Sequence, residues 1–152
     1  MAFAWSPELA TGNANIDNQH QQLFAAADDL FNACQLERER QEVGKTLVFL
    51  MEYVKQHFTD EEALQEEHEY PDLFAHKQAH AAFAERVKLL IKRLFQDGVT
   101  DEFISDVYIS IGEWLLNHVR NDDLKMVVYI QSKTSTARPA RRKRPPARRK
   151  PR

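Results

Sequence analysis

Four stretches of this chain repeat apolar residues at steps of three and four, and each repeat carries a histidine on the same face. In the first, His20 is followed by Leu23, Phe24, Ala27, Leu30, Phe31 and Cys34. The second runs Val43, Leu47, Leu50, Val54, His57, Glu61 and Leu64, and the third Leu73, His76, His80, Phe83, Val87, Leu90 and Leu94. The fourth is Ile104, Val107, Ile111, Leu115 and His118. This period puts one side of an α-helix into a core. The sequence therefore predicts four amphipathic helices whose buried faces also bear imidazoles. No stretch has the alternation or the β-branched density of a strand, so the expected class is all-α.

Helix punctuation agrees. Asp17 is the expected cap of a first helix near 18–37, and a second is expected near 40–65. Pro71 suits the first turn of the third, where its missing N–H would have no partner anyway. Asp97-Gly98 ends that helix and Thr100 caps the fourth. Short connections make consecutive helices antiparallel neighbours. The expected architecture is an up-down-up-down four-helix bundle over residues 1–131.

The spacings carry chemistry. Residues four apart lie one turn above each other on a helix, so His57 with Glu61, and His76 with His80, reach into a common space. With His20, His118 and an aspartate beyond it, the set has five imidazoles and two carboxylates. That is too many ligands for one metal ion and suits two. The aspartate is open at this point. Asp122 is the i+4 residue, whereas Asp123 lies about 140° round an ideal helix from His118. His68 falls outside the pattern and is expected exposed in a turn. Glu62 and Glu66 are expected as solvated or pairing charges, and Phe24, Phe58 and Phe83 as core. Cys34 is the sole cysteine; it excludes an intrachain disulfide, fits a reducing compartment, and is expected as a small core residue.

Charge divides the chain. Ten of the 21 Lys and Arg follow residue 132 and none of the 23 Asp and Glu does. Residues 1–132 thus hold 11 basic against 23 acidic groups, hidden by an overall net of −2. Residues 132–152, rich in Arg, Lys and Pro, have almost nothing to bury and are expected to be disordered. Their charge suits a non-specific anionic partner: nucleic acid, a membrane surface or an acidic protein, engaged through residues 138–152. No aromatic is interleaved to stack on bases. The N-terminus has neither a basic start nor a long apolar run, so the expected location is cytoplasmic.

Together these residues resemble the hemerythrin family, in particular its single-domain bacterial members. The resemblance covers residues 5 to about 131. It rests on Trp5, Gly12, Ile16-Asp17-x-Gln19-His20, His57-Phe58-x2-Glu61-Glu62, Tyr70-Pro71, His76-x3-His80-x2-Phe83 and Trp114-Leu115-x2-His118-x4-Asp123. It implies seven metal ligands, namely His20, His57, Glu61, His76, His80, His118 and Asp123. Choosing Asp123 requires a π-like turn after His118. It also implies two non-haem irons bridged by Glu61, Asp123 and an oxo or hydroxo group. His76, His80 and His118 would complete one iron. His20 and His57 would leave the other with an empty position, where O2 binds reversibly as hydroperoxide. Trp114 and Leu115 would wall the O2 pocket beside that position.

The implied function is oxygen storage, transport or delivery, with no catalytic residue and an unidentified redox partner. Alternatives are a di-iron oxidase, peroxidase-like or iron-handling enzyme, or a sensor of O2 or nitric oxide acting through the basic tail. Ferritin-like di-iron sites use mostly glutamates with Glu-x-x-His motifs, a ligand set this chain lacks. The tail departs from the family pattern.

Overall fold

Helix α1, Ala14–Gln35, starts where Asn13 accepts a hydrogen bond from the Ile16 N–H through its side chain. Asp17 is therefore not the cap. It lies in the first turn and ties down the preceding loop, accepting from the Thr11 N–H and hydroxyl at 2.8 and 2.7 Å. α2 spans Arg40–Glu67 and α3 Leu73–Asp97. Pro71 sits in the turn before α3 rather than in its first turn. Gly98, at φ 78°, ends α3 with its N–H on the Leu94 carbonyl, a left-handed position that glycine adopts without strain. Thr100 caps the fourth helix by accepting from the Phe103 N–H. The computed structural model describes residues 3–135.

The fourth helix runs over 101–135 and is not uniform. It is α-helical over Asp101–Val107, π-helical over Tyr108–Glu113, and α-helical again over Trp114–Asn117. A second π stretch covers His118–Asp123, and an α-helix follows over Leu124–Ser135. The helix thus continues past the domain boundary expected after residue 131. The rest of the expected basic tail, 136–152, lies outside the described residues.

The described residues form an all-α, up-down-up-down bundle without strands. One core cluster includes Leu30, Val43, Leu47, Leu94, Phe103 and Val107, and a small one joins Ile16, Tyr70, Met126 and Val127. Burying each such leucine contributes about 1.5–3 kcal/mol. The predicted ligands fall between these two clusters, so the bundle interior is apolar, then polar, then apolar. An N-terminal arm closes one groove. The Phe3 N–H donates to Asp28 Oδ1 at 3.2 Å, and the ring packs on Phe31, Tyr108 and the backbone of Gly112. Any Cβ at Gly112 would overlap the Phe3 ring. Cys34 is buried in the main cluster, and burial pushes its thiol up to about 11.

Candidate metal centre

All seven predicted ligands converge in the bundle interior. His20, Glu61 and Asp123 are completely buried, and His57, His76, His80 and His118 nearly so. α1 supplies His20, α2 supplies His57 and Glu61, α3 supplies His76 and His80, and the fourth helix supplies His118 and Asp123.

Their donor atoms fall into two overlapping nests. Glu61, His76, His80, His118 and Asp123 each place one donor atom within 4.8 Å of the others, and so do His20, His57, Glu61 and Asp123. Both carboxylates belong to both nests, and each divides its oxygens between them. Glu61 Oε1 lies 2.6 Å from His76 Nε2 and 3.3 Å from His80 Nε2, whereas Oε2 lies 3.1 Å from His57 Nε2. Asp123 Oδ1 lies 3.2 Å from both His76 Nε2 and His118 Nε2, whereas Oδ2 lies 2.9 Å from His20 Nε2.

The π stretch decides between the two aspartates. Bonding five residues apart brings Asp123 over His118, where a regular helix would bring Asp122. Asp122 is largely exposed and accepts from His118 Nδ1 at 2.8 Å, on the ring edge facing away from the cluster. Both spacings are thus used, each by a different nitrogen of one imidazole.

Three groups behind the imidazoles escape the sequence reading as partners. His80 Nδ1 donates to Glu62 Oε1 at 3.2 Å, so Glu62 is not merely a solvated charge. His118 Nδ1 donates to Asp122. His57 Nδ1 donates to Gln19 Oε1 at 2.7 Å, across from α2 to α1. Only Asp122 leaves a signal in the sequence, its i+4 spacing; the other two contacts bridge helices, where periodicity is silent.

Aromatic groups wall the three-histidine nest. Phe58 stacks flat on His80 with centroids 3.7 Å apart, and Trp114 stacks on His118 at 4.5 Å and on Phe83 at 4.2 Å. Trp114, expected beside the two-histidine position, makes its ring contacts on the three-histidine side, because a step of four along the helix sets it against the His118 ring. Leu115 is buried in the main core cluster. A cleft of about 180 Å³ lined by Tyr70, Asp72, Ala75, Ala79, Asp122 and Lys125 reaches His76 from outside. His68 is half-buried rather than exposed, with Nδ1 2.9 Å from the Leu64 carbonyl, and stands apart from both nests.

The donor set fits a pair of metal ions. Both nitrogens of His20, Oε2 of Glu61 and both oxygens of Asp123 are buried without a hydrogen-bond partner. Buried polar atoms left so are expensive. Acceptors that converge at about 3 Å repel unless protons or cations lie between them. In the metal-free chain protons take that place. Burial works against charge on His20 and His76, but Asp123 and Glu61 raise both to about 9. For His118 the burial effect is outweighed by Asp123 and Asp122, which raise it to about 10. Burial prevails for His80, which is lowered. Asp123 resists burial and the charge of Glu61, and the surrounding histidines hold it down at about 2. Imidazole and carboxylate without thiolate suit iron among the transition metals.

Residues 11–130 match the family model described as the Hemerythrin HHE cation binding domain. The chain is 34% identical over 121 residues to a bacteriohemerythrin of Stenotrophomonas maltophilia, covering 80% of this chain and 76% of that protein. It is 33% identical over 133 residues to a bacteriohemerythrin of Pseudomonas aeruginosa, covering 88% and 84%. A myohemerythrin of Theromyzon tessulatum is 29% identical over 125 residues, covering 81% and 89%.

Proposed function

From the premise that this chain belongs to the hemerythrin family, we propose that it binds O2 reversibly at a pair of non-haem iron ions and catalyses no reaction. The observation that carries this reading is the unequal pair of nests. Three imidazoles serve one position and two serve the other, with Glu61 and Asp123 common to both. A position with fewer ligands beside a better-filled one suits a small added ligand.

In this proposal His76, His80 and His118 would hold one iron and His20 and His57 the other, with Glu61 and Asp123 available to both. Two Fe(II) ions, when bound, supply the two electrons that reversible capture of O2 requires. The protein's own contribution is arrangement and exclusion. Glu62, Asp122 and Gln19 hold the imidazoles by their outer nitrogens and aim the inner ones at the metals. Phe58, Phe83, Trp114 and Leu115 keep water and stray protons from the cluster.

A visible spectrum tests the reading. Full-length protein, iron-loaded and reduced without air, is recorded before O2, after O2 and after argon purging. A ligand-to-iron band that appears with O2 and vanishes under argon is the expected result. Irreversible conversion to oxidised iron would favour the oxidase or iron-handling alternative.

We extend the proposal to residues 138–152 as a dock for an anionic partner, on the strength of their nine Arg and Lys with no Asp or Glu among them. Binding of the full-length chain to DNA or anionic vesicles at low salt, lost on removing 133–152, is expected. No binding at low salt would end that part. No helix among the described residues is long and apolar enough to cross a membrane. We place the protein in the cytoplasm, a reducing compartment that its lone cysteine fits.

A further inference from the structure

The imidazoles are not supported alike. His80 and His118 donate to carboxylates, Glu62 and Asp122, whereas His57 donates to an amide, Gln19. Gln19 is nine-tenths buried, and its other end settles which way round it lies. Gln19 Nε2 donates at 2.8 Å to Asp60 Oδ2, and Asp60 Oδ1 accepts at 2.9 Å from Gln56 Nε2. A carboxylate accepts only, so Gln19 must turn its NH2 to Asp60 and its carbonyl to His57. A carbonyl also accepts only, so the His57 proton must sit on Nδ1. With Nδ1–H committed to Gln19, Nε2 is the nitrogen aimed into the cluster, 3.1 Å from Glu61 Oε2, the atom that a metal ion would engage. Direction passes inward from an exposed surface turn of α2, through α1, to a fully interior ring.

We infer that Gln19 is a positioning residue for the two-histidine position: held by Asp60 and Gln56, it sets the tautomer of His57 and, being an amide, keeps that imidazole a weaker donor than His80 and His118. This rests on the two-metal reading above for its consequence, though not for the tautomer. A carboxylate behind an imidazole raises its basicity more than an amide does, and loss of such a partner typically changes metal affinity about 10–100-fold. The weaker support falls on the position that has fewer imidazoles. The better-supported nest should therefore fill first.

Ring 15N shifts in the full-length chain test this, with Zn(II) titrated into metal-free protein against a competing chelator. His57 reports one position and His80 the other. The wild type is expected to show His57 protonated on Nδ1 with and without Zn(II), and filling at His80 before His57. Gln19→Leu should mix the His57 tautomers and weaken zinc at His57 about 10–100-fold, leaving His80 within about threefold. Gln19→Glu with Asp60→Asn keeps every hydrogen bond satisfied with a carboxylate against His57, because the amide introduced at position 60 donates to it and so reverses only the bond between 19 and 60. That variant should tighten zinc at His57 above wild type, a gain that a merely structural role would not produce. An unchanged His57 tautomer in Gln19→Leu would overturn the inference, as would equal weakening at both histidines or no gain in the double variant. If wild type takes up fewer than two ions while the tautomer responds as expected, the two-metal reading falls and the positioning role of Gln19 stands.

Discussion

Tyr108–Glu113 and His118–Asp123 are both six-residue π-helical stretches of one helix, four residues apart, and they serve different ends. The first brings the bare backbone of Gly112 against the Phe3 ring and lets the N-terminal arm close the apolar side of the bundle. The second turns Asp123 inward over His118 and leaves Asp122 outside. One stretch serves packing and the other turns a carboxylate into the histidine cluster. A wider turn is thus a way to re-phase a helix, and what it presents depends on the residue it turns in.

The largest expected effect separates the two aspartates of the second stretch. Asp123→Ala should abolish binding of a pair of ions, because it removes a carboxylate common to both nests. Asp122→Ala should weaken metal only about 10–100-fold, as expected for a group behind a ligand. Iron per chain after loading and desalting distinguishes them, and equal losses would mean that the π turn has no bearing on which aspartate matters.

Between the stretches stands Leu115, buried and apolar. Leu115→Asn should speed irreversible oxidation of iron-loaded protein under air by about tenfold or more, since a polar side chain there invites water. An unchanged rate, followed by loss of O2 capacity with time, would show that Leu115 does not guard the pocket.

A smaller effect belongs to the first stretch. Gly112→Ala should destabilise the fold by about 1–3 kcal/mol, because Phe3 must move. That corresponds to roughly 2–4 °C in melting temperature per kcal/mol. Metal stoichiometry should be unchanged, and Phe3→Ala should add little once Gly112 is substituted. Loss of metal in Gly112→Ala would dissolve the division between a packing turn and a metal turn.

A last effect, seen only in the metal-free chain, is a pH dependence of the histidine cluster around the second stretch. His20 and His76, raised to about 9, and His118, raised to about 10, stabilise the metal-free fold fully below their unfolded value of 6.5. That stability fades as pH rises through about 9 to 10. Asp123, lowered to about 2, contributes above its unfolded value of 3.8 and loses its contribution as pH falls through 2. Chelator-treated protein should therefore melt lower at about pH 9.5 than at about pH 6, and metal-loaded protein should not, because the ions replace those protons. The same dependence in both forms would place its origin outside the cluster.

Much of this is legible in the chain itself, for local reasons. Gly98 and Thr100 act as the helix stop and start that their chemistry suggests, whereas Asp17 and Pro71 fall a few residues from their expected roles. Asn13 supplies the cap in place of Asp17, and α3 begins at Leu73, two residues after Pro71. The seven clustered side chains follow from spacing and from family resemblance together. Spacing alone leaves Asp122 and Asp123 open, because a sequence does not say where a helix widens. Glu62 reads as a solvated or pairing charge without a named partner, and Gln19 and Asp60 have no evident task, because their partners are set by how the helices face one another.

The sequence by itself determined the four helices, their apolar faces and the residue types set into those faces, since a period of three to four and the caps act within a few residues. Only the tertiary structure decided which aspartate points inward, which nitrogen each imidazole presents, and that Gln19 holds His57. These depend on helix phase and on contacts between residues as far apart as 38 and 41 positions, Gln19 to His57 and Gln19 to Asp60, which form only once the helices have packed.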